Sequence, residues 1–221
     1  MRFALSTWLR VLLLIASTAG NGYAQSGRTA EVDAAEAGAA EAGAPSGTAA
    51  CAVCHGAQAA GSTAGAPRLA GQNADYMAHA LFMFKARTRA GAAMQAVAQN
   101  LTERQMHDLA AYFSTQHPPP VKSEPAPAGQ LVAAGKSLAE SGAGADLAAC
   151  FSCHAAGGQG NGARFPRIAG QPQKFVVDRL HEFQQRAKGA TPKPGTMTAV
   201  SAALTERQII QVASYLSVMP E

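Results

Sequence analysis

Apolar residues recur at the spacing of a single helical face in several places along the chain. Met106, Leu109, Ala110 and Phe113 form one such set, and Ile209, Val212, Ala213 and Leu216 form another. A capping box precedes each. Thr102 with Gln105, and Thr205 with Gln208, put a hydroxyl at the cap and an amide three residues on. The spacing predicts a longer helix over 73–87, with Tyr76, Ala80 or Leu81, and Phe84 inward, and a counterpart over 173–188. A further helix is expected over 131–139. No run alternates apolar and polar residues for long enough to predict a strand, so the fold class is all-α.

The N-terminus follows a different pattern. Arg2 and Arg10 flank a short apolar run, Val11 to Ala16, and Gly22-Tyr23-Ala24 offers small residues at a cleavage site. This is the layout of a secretory signal peptide, residues 1–24, and the run is far short of the ~20 apolar residues of a spanning helix. Export to the periplasm follows, with no transmembrane segment after cleavage and peripheral membrane association as the alternative setting. Residues 25–45 are rich in Ala, Gly and Glu and predict a disordered tether.

Composition sharpens this. Of 221 residues, 48% are hydrophobic but 6% are aromatic, and 51 are alanine. Alanine buries little area at ~25 cal/mol per Å², so side chains alone make thin cores. The formal charge of +4 falls to +2 once Arg2 and Arg10 leave. No basic stripe interleaved with aromatics appears, which argues against nucleic acid.

The remainder is one unit written twice. Cys51-Ala-Val-Cys54-His55 recurs as Cys150-Phe-Ser-Cys153-His154, and Pro67 to Gln72 recurs as Pro166 to Gln171, all at an offset of 99. After a four-residue insertion the offset becomes 103, which maps 101–105 onto 204–208 and Tyr112 onto Tyr215. The expected units are 46–117 and 129–221, joined by a proline-rich linker over 118–128.

Two cysteines on one helical turn followed by histidine form the attachment signature of c-type haem. The thiols add to the two vinyl groups and the histidine reaches the iron, so Cys51, Cys54, Cys150 and Cys153 hold haem, and His55 and His154 are proximal ligands. A redox dithiol has no use for the histidine, and a zinc site wants its ligands in one place.

The paired motifs, the duplicated Pro-Arg-(Leu/Ile)-Ala-Gly-Gln segments and the later methionines resemble dihaem cytochromes c, most closely the cytochrome c4 family. The resemblance spans about residues 46–220. It implies two tandem class I cytochrome c domains, each wrapped around a covalent haem c with His/Met ligation. It also implies that the carbonyls of Pro67 and Pro166 orient the proximal histidines. Among the methionines only Met94 has a methionine counterpart, Met197, at the 103 offset, so these two are the expected distal ligands, in loops. Met77, Met83 and Met106 are expected in the core, and the remaining histidines at the surface. Lys85, Arg87, Arg89, Arg186, Lys188 and Lys193 suggest either solvated helix ends or a rim that steers an acidic partner.

Iron with both axial positions filled passes electrons without making bonds. The expected role is a periplasmic electron carrier, not an enzyme, between redox proteins: a quinol-oxidising complex and a terminal oxidase. Alternatives are the cytochrome subunit of an exported dehydrogenase, such as a flavocytochrome sulfide dehydrogenase, and a dihaem peroxidase or thiosulfate-oxidising enzyme.

Overall fold

A computed structural model describes residues 44–145, 147–189 and 191–220. The expected signal peptide and nearly all of the tether lie outside the described residues. Within them the fold is helical, and the only bridges between extended residues are the isolated pairs Ala143–Leu147 and Asn161–Phe165.

The first half runs α1 (Thr48–His55), α2 (Ala74–Lys85), α3 (Ala92–Gln99) and α4 (Glu103–Ser114). The second runs α5 (Gly129–Ser141), α6 (Phe151–His154), α7 (Gln173–Ala187), α8 (Met197–Ala203) and α9 (Glu206–Val218). Both capping boxes form. Thr102 Oγ1 accepts from Gln105 N–H at 3.2 Å while Gln105 Oε1 accepts from Thr102 N–H at 2.9 Å. Thr205 and Gln208 repeat this at 3.3 and 2.9 Å. Each box satisfies two donors that a helix start would otherwise leave unpaired.

The faces of α4 and α9 are buried as the periodicity predicts, whereas α2 buries Met77, Ala78 and Ala80 and leaves Tyr76, Leu81 and Phe84 half-buried. In the first half α2 packs on α4, burying Met77, Ala78, Leu109, Ala110 and Phe113. In the second, α9 packs on both α5 and α7, burying Ala139, Val176, Leu180, Ile209, Val212, Ala213 and Leu216. Met77 and Met106 are core residues as expected, and Met83 is half-buried. His79, His107 and His117 are exposed, and His181 pairs with Glu206 at 2.7 Å.

Three further expectations change. The segments holding Met94 and Met197 are helical rather than looped: Met94 is the third residue of α3 and Met197 the first of α8. Both are rich in alanine, the best helix former. Thr196 caps α8 through Oγ1 on Ala199 N–H at 3.4 Å, and Gln95 Nε2 ties α3 back to Arg89 O at 2.8 Å. Arg89 is not a rim residue: it is buried, with its guanidinium 4.7 Å from the Phe84 ring centroid and Nη1 donating to Tyr76 Oη at 3.3 Å. The linker does not start as a free spacer either, since Pro118 is buried and its carbonyl accepts from Arg68 Nη2.

The α5–α9 crossing depends on one missing side chain. A β-carbon at Gly135 would lie 1.9 Å from Gln211 O and 2.8 Å from Tyr215 Cβ. The helix accepts the propensity cost of a buried glycine, about 1 kcal/mol, because the two backbones touch there. Gly135→Ala is expected to push α5 away and destabilise the second half by about 2–3 kcal/mol, in the range of overpacked cores. The check is thermal unfolding followed by circular dichroism, with an unchanged midpoint as the contrary result.

Candidate cofactor site

Each half presents the same turn beside its Cys-x-x-Cys-His segment. After α1, Gly61 N–H returns to His55 O at 2.8 Å. Leu69 and Ala70 N–H both reach Ala59 O, at 3.0 and 3.2 Å. After α6, Gly160 N–H returns to His154 O at 2.8 Å. Ile168 and Ala169 N–H reach Gly158 O at 2.8 and 3.2 Å. These bonds carry the proline of each repeated segment over the histidine ring. His55 Nδ1 lies 2.8 Å from Pro67 O, and His154 Nδ1 lies 2.8 Å from Pro166 O.

A carbonyl oxygen only accepts, so Nδ1 carries the proton in both rings and Nε2 keeps its lone pair. Both histidines are 6% exposed. Burial lowers their pKa from the ordinary imidazole value, outweighing the upward pull of the proline carbonyls. A neutral imidazole with one nitrogen fixed and the other free is what a metal ligand requires.

The cysteines are unpaired. Cys51 and Cys150 are half-buried, while Cys54 and Cys153 are exposed. Burial pushes the Cys150 thiol up to about 11 and raises Cys51 as well. Reactive dithiols lower their thiol pKa, so this environment argues against a redox pair. Among the described residues no three His, Cys, Asp or Glu side chains converge as a zinc site needs. Met197 packs against the same core as Cys150, Phe151 and Ile168, and Met94 is half-buried on α3.

The centre of the molecule was not foreseen. Arg68, Gln72, Arg167 and Gln171, all repeated residues, are 1, 5, 7 and 3% exposed and meet between the two halves. The Gln171 amide spans Arg68: Oε1 accepts from its N–H at 3.1 Å and Nε2 donates to its carbonyl at 3.1 Å. The Gln72 amide spans Arg167 in the same way, at 2.8 and 2.9 Å. Gly71 and Gly170 turn the chain at φ 68 and 70, and their N–H groups close onto Phe113 O and Leu216 O at 3.0 and 2.9 Å. The site of each half is therefore fastened to its own last helix and to the other half's glutamine.

The two arginines concentrate positive charge at this buried centre. Arg68 is brought down to about 10, first by burial and then by Arg167. Burial alone lowers Arg167. Its Nε and Nη2 are buried and make no hydrogen bond among the described residues. Orphaned cationic donors at that position fit an anionic group seated between the halves. The signal for these residues was present in the exact repetition of Arg and Gln, yet repetition alone does not say which copies touch.

The family model for cytochrome c matches residues 40–117 and 132–219. Cytochrome c4 of Azotobacter vinelandii is 33% identical over 179 residues, 76% of this chain and 83% of that protein. The thiosulfate dehydrogenase electron acceptor of Thiomonas intermedia is 34% identical over 182 residues, 80% of this chain and 81% of that one. Among solved structures, cytochrome c4 of Acidithiobacillus ferrooxidans superposes with a TM-score of 0.63 at 33% identity, covering 76% of this chain and 98% of that one. A thiosulfate dehydrogenase of Marichromatium purpuratum gives 0.68 at 34% identity. There this chain is matched over 77% of its length but spans only 36% of the other. With the helical fold and the duplicated site, these matches place the chain in the cytochrome c family, as a cytochrome c4-like dihaem electron carrier bearing two covalently attached haem c groups.

Proposed function

We propose that the chain is a periplasmic one-electron carrier with one haem in each of its units, 46–117 and 129–221. Cys51 and Cys54 hold the first haem and Cys150 and Cys153 the second. His55 with Met94, and His154 with Met197, would hold the two irons, and Pro67 and Pro166 orient the histidines. The observation that carries this reading is the repeated geometry at the histidines: a buried neutral ring with Nδ1 fixed at 2.8 Å from a proline carbonyl, in both halves.

Haem iron, when bound, cycles between ferrous and ferric forms and so holds one electron per half. The chain's own residues set how easily. The proline carbonyls lock each imidazole so that Nε2 faces one direction without rotational freedom. Met94 and Met197, each on a short alanine-rich helix tied at its start, bring a soft sulfur ligand that raises the potential. Arg167, whose buried Nε and Nη2 lack partners, suits a haem carboxylate. With a histidine and a methionine offered in each half, the chain's residues would leave no open position for substrate and would favour electron passage over bond chemistry.

We read the donor as a quinol-oxidising complex and the acceptor as a terminal oxidase. A second reading is favoured by the similarity to a thiosulfate dehydrogenase electron acceptor: the chain takes electrons from such a dehydrogenase. That similarity shifts the choice of dehydrogenase away from a flavocytochrome. Stopped-flow reduction separates the two. The purified dihaem protein is expected to be reduced by the quinol-oxidising complex and reoxidised by terminal oxidase membranes. Reduction by thiosulfate dehydrogenase at a higher kcat/KM than by the quinol-oxidising complex would transfer the assignment.

Met94→His and Met197→His should each lower the potential of one haem while leaving it low-spin, since histidine in place of methionine removes the ligand that raises it. Spectroelectrochemical titration reads this. Unchanged potentials would remove these methionines from the ligand set.

Among the described residues each half buries eleven apolar residues, but seven of the eleven in the first half are alanine against three in the second. At ~1.5–3 kcal/mol per large side chain, the four that remain, Met77, Met106, Leu109 and Phe113, cannot offset the ordering of some seventy residues. Preventing attachment with Cys51→Ala and Cys54→Ala should therefore leave the first half unfolded, seen as loss of about half of the helical circular dichroism. Retention of the full helical signal would contradict it.

A further inference from the structure

Each proline–arginine peptide at the centre is hydrogen-bonded on both faces. The carbonyl of the Pro67–Arg68 peptide faces His55 Nδ1 at 2.8 Å, and the N–H of that same peptide donates to Gln171 Oε1 at 3.1 Å. In the Pro166–Arg167 peptide the carbonyl faces His154 Nδ1 at 2.8 Å, and the N–H donates to Gln72 Oε1 at 2.8 Å. The proximal histidine of each half is thus one peptide group away from a side chain of the other half.

We propose that Gln72 and Gln171 are positioning residues acting across the domain boundary, each setting through one peptide group the hydrogen bond of the other half's proximal histidine. This rests on the assignment of His55 and His154 as iron ligands made above. A peptide whose N–H is well accepted becomes more polarised, and its carbonyl becomes a stronger acceptor; condensed-phase estimates put such cooperativity at about 10–30% per bond. A stronger acceptor at Nδ1 leaves more electron density at Nε2, and an electron-rich imidazole favours ferric iron.

Two features make the glutamine amide suited to this. It accepts and donates at once, so one side chain holds both the N–H and the carbonyl of the same arginine. Gln72 and Gln171 are also almost fully buried, so water does not compete for either bond. The arrangement is crossed: the residue that governs the first site lies in the second half, and the reverse. A purely structural role predicts no crossing, which makes the two separable.

The experiment uses the full dihaem protein with Gln72→Met, Gln171→Met and Gln171→Glu. Methionine keeps the side-chain length and removes the amide. Glutamate keeps an acceptor on Arg68 N–H and strengthens it. Two readouts are taken: the potentials of both haems, and the Nδ1 proton resonances of the ligated histidines in the reduced protein. Gln171→Met is expected to raise the potential of the haem on Cys51 and Cys54. It should also move the His55 Nδ1 proton upfield, with the His154 proton shifted less. Gln72→Met is expected to give the mirror image. Gln171→Glu should move the His55 proton downfield.

Shifts confined to the mutated half, shifts equal in both halves, or no shift in either readout would overturn the proposal. Failure of the ligand assignment would look different. The unmutated protein would then lack the ligated-histidine resonances, whereas failure of the crossed relay leaves those resonances intact and only the crossing absent.

Discussion

The structure depends on two peptide groups, Pro67–Arg68 and Pro166–Arg167, each with both polar faces occupied. On one side of each lies the Nδ1 of a buried histidine, and on the other a glutamine from the opposite half. A buried peptide cannot leave either face unpaired without a cost of about 1–3 kcal/mol. Moving one half against the other would break both glutamine clamps at once. The docking of the halves and the aim of the histidine rings are therefore one constraint. The glycine turns belong to it as well, because Gly71 and Gly170 carry the chain from the clamped arginine to the end of the last helix of their own half.

The same centre concentrates positive charge where water is scarce. Two guanidinium groups lie there nearly out of solvent, and burial weakens the protonated form of both. A buried cation is tolerated when an anion meets it. The carboxylates of bound haem would supply anions of the right kind, and the macrocycles would supply the apolar mass that an alanine-rich chain lacks. The thin cores and the orphaned donors of Arg167 are thus two sides of one composition, that of residues suited to surround a large, partly anionic group rather than each other.

Much of this was legible in the sequence. The capping boxes at Thr102 and Thr205, the core faces behind them and the two-unit organisation follow from spacing and repetition, and the histidine–proline pairing from the family resemblance. What escaped had physical reasons. Met94 and Met197 were expected in loops because no capping box or long apolar face marks their helices; alanine content and local ties make them helical instead. Arg89 read as a solvated helix end, yet Phe84 and Tyr76 form an aromatic shelf that draws its guanidinium inward. The roles of Arg68, Gln72, Arg167 and Gln171 were hidden because the repeat aligns each residue with its copy. Here the contacts run between different positions of the two copies, arginine to glutamine, and an offset cannot reveal that.

The twofold likeness holds at the centre and fails toward the outside. In the second half α5 crosses α9 at Gly135 and completes a larger core, whereas the described residues of the first half contain no helix packed on α4 in that way. Around the histidines the two halves are nearly superimposable in bonding: the same 2.8 Å contact to proline, the same turn closure, the same clamp. Any difference in potential between the two haems must then arise mainly from what surrounds this shared centre, through unequal burial and unequal charge. Arg89 is one such difference, a buried cation of the first half lying near Arg179 and Glu182 of the second. Its counterparts at offsets of 99 and 103 are Lys188, which is exposed, and Pro192, which carries no charge. A duplicated electron carrier built this way keeps its ligand chemistry symmetric and places its asymmetry in the shell, where a change in one half need not disturb the clamp that both halves share.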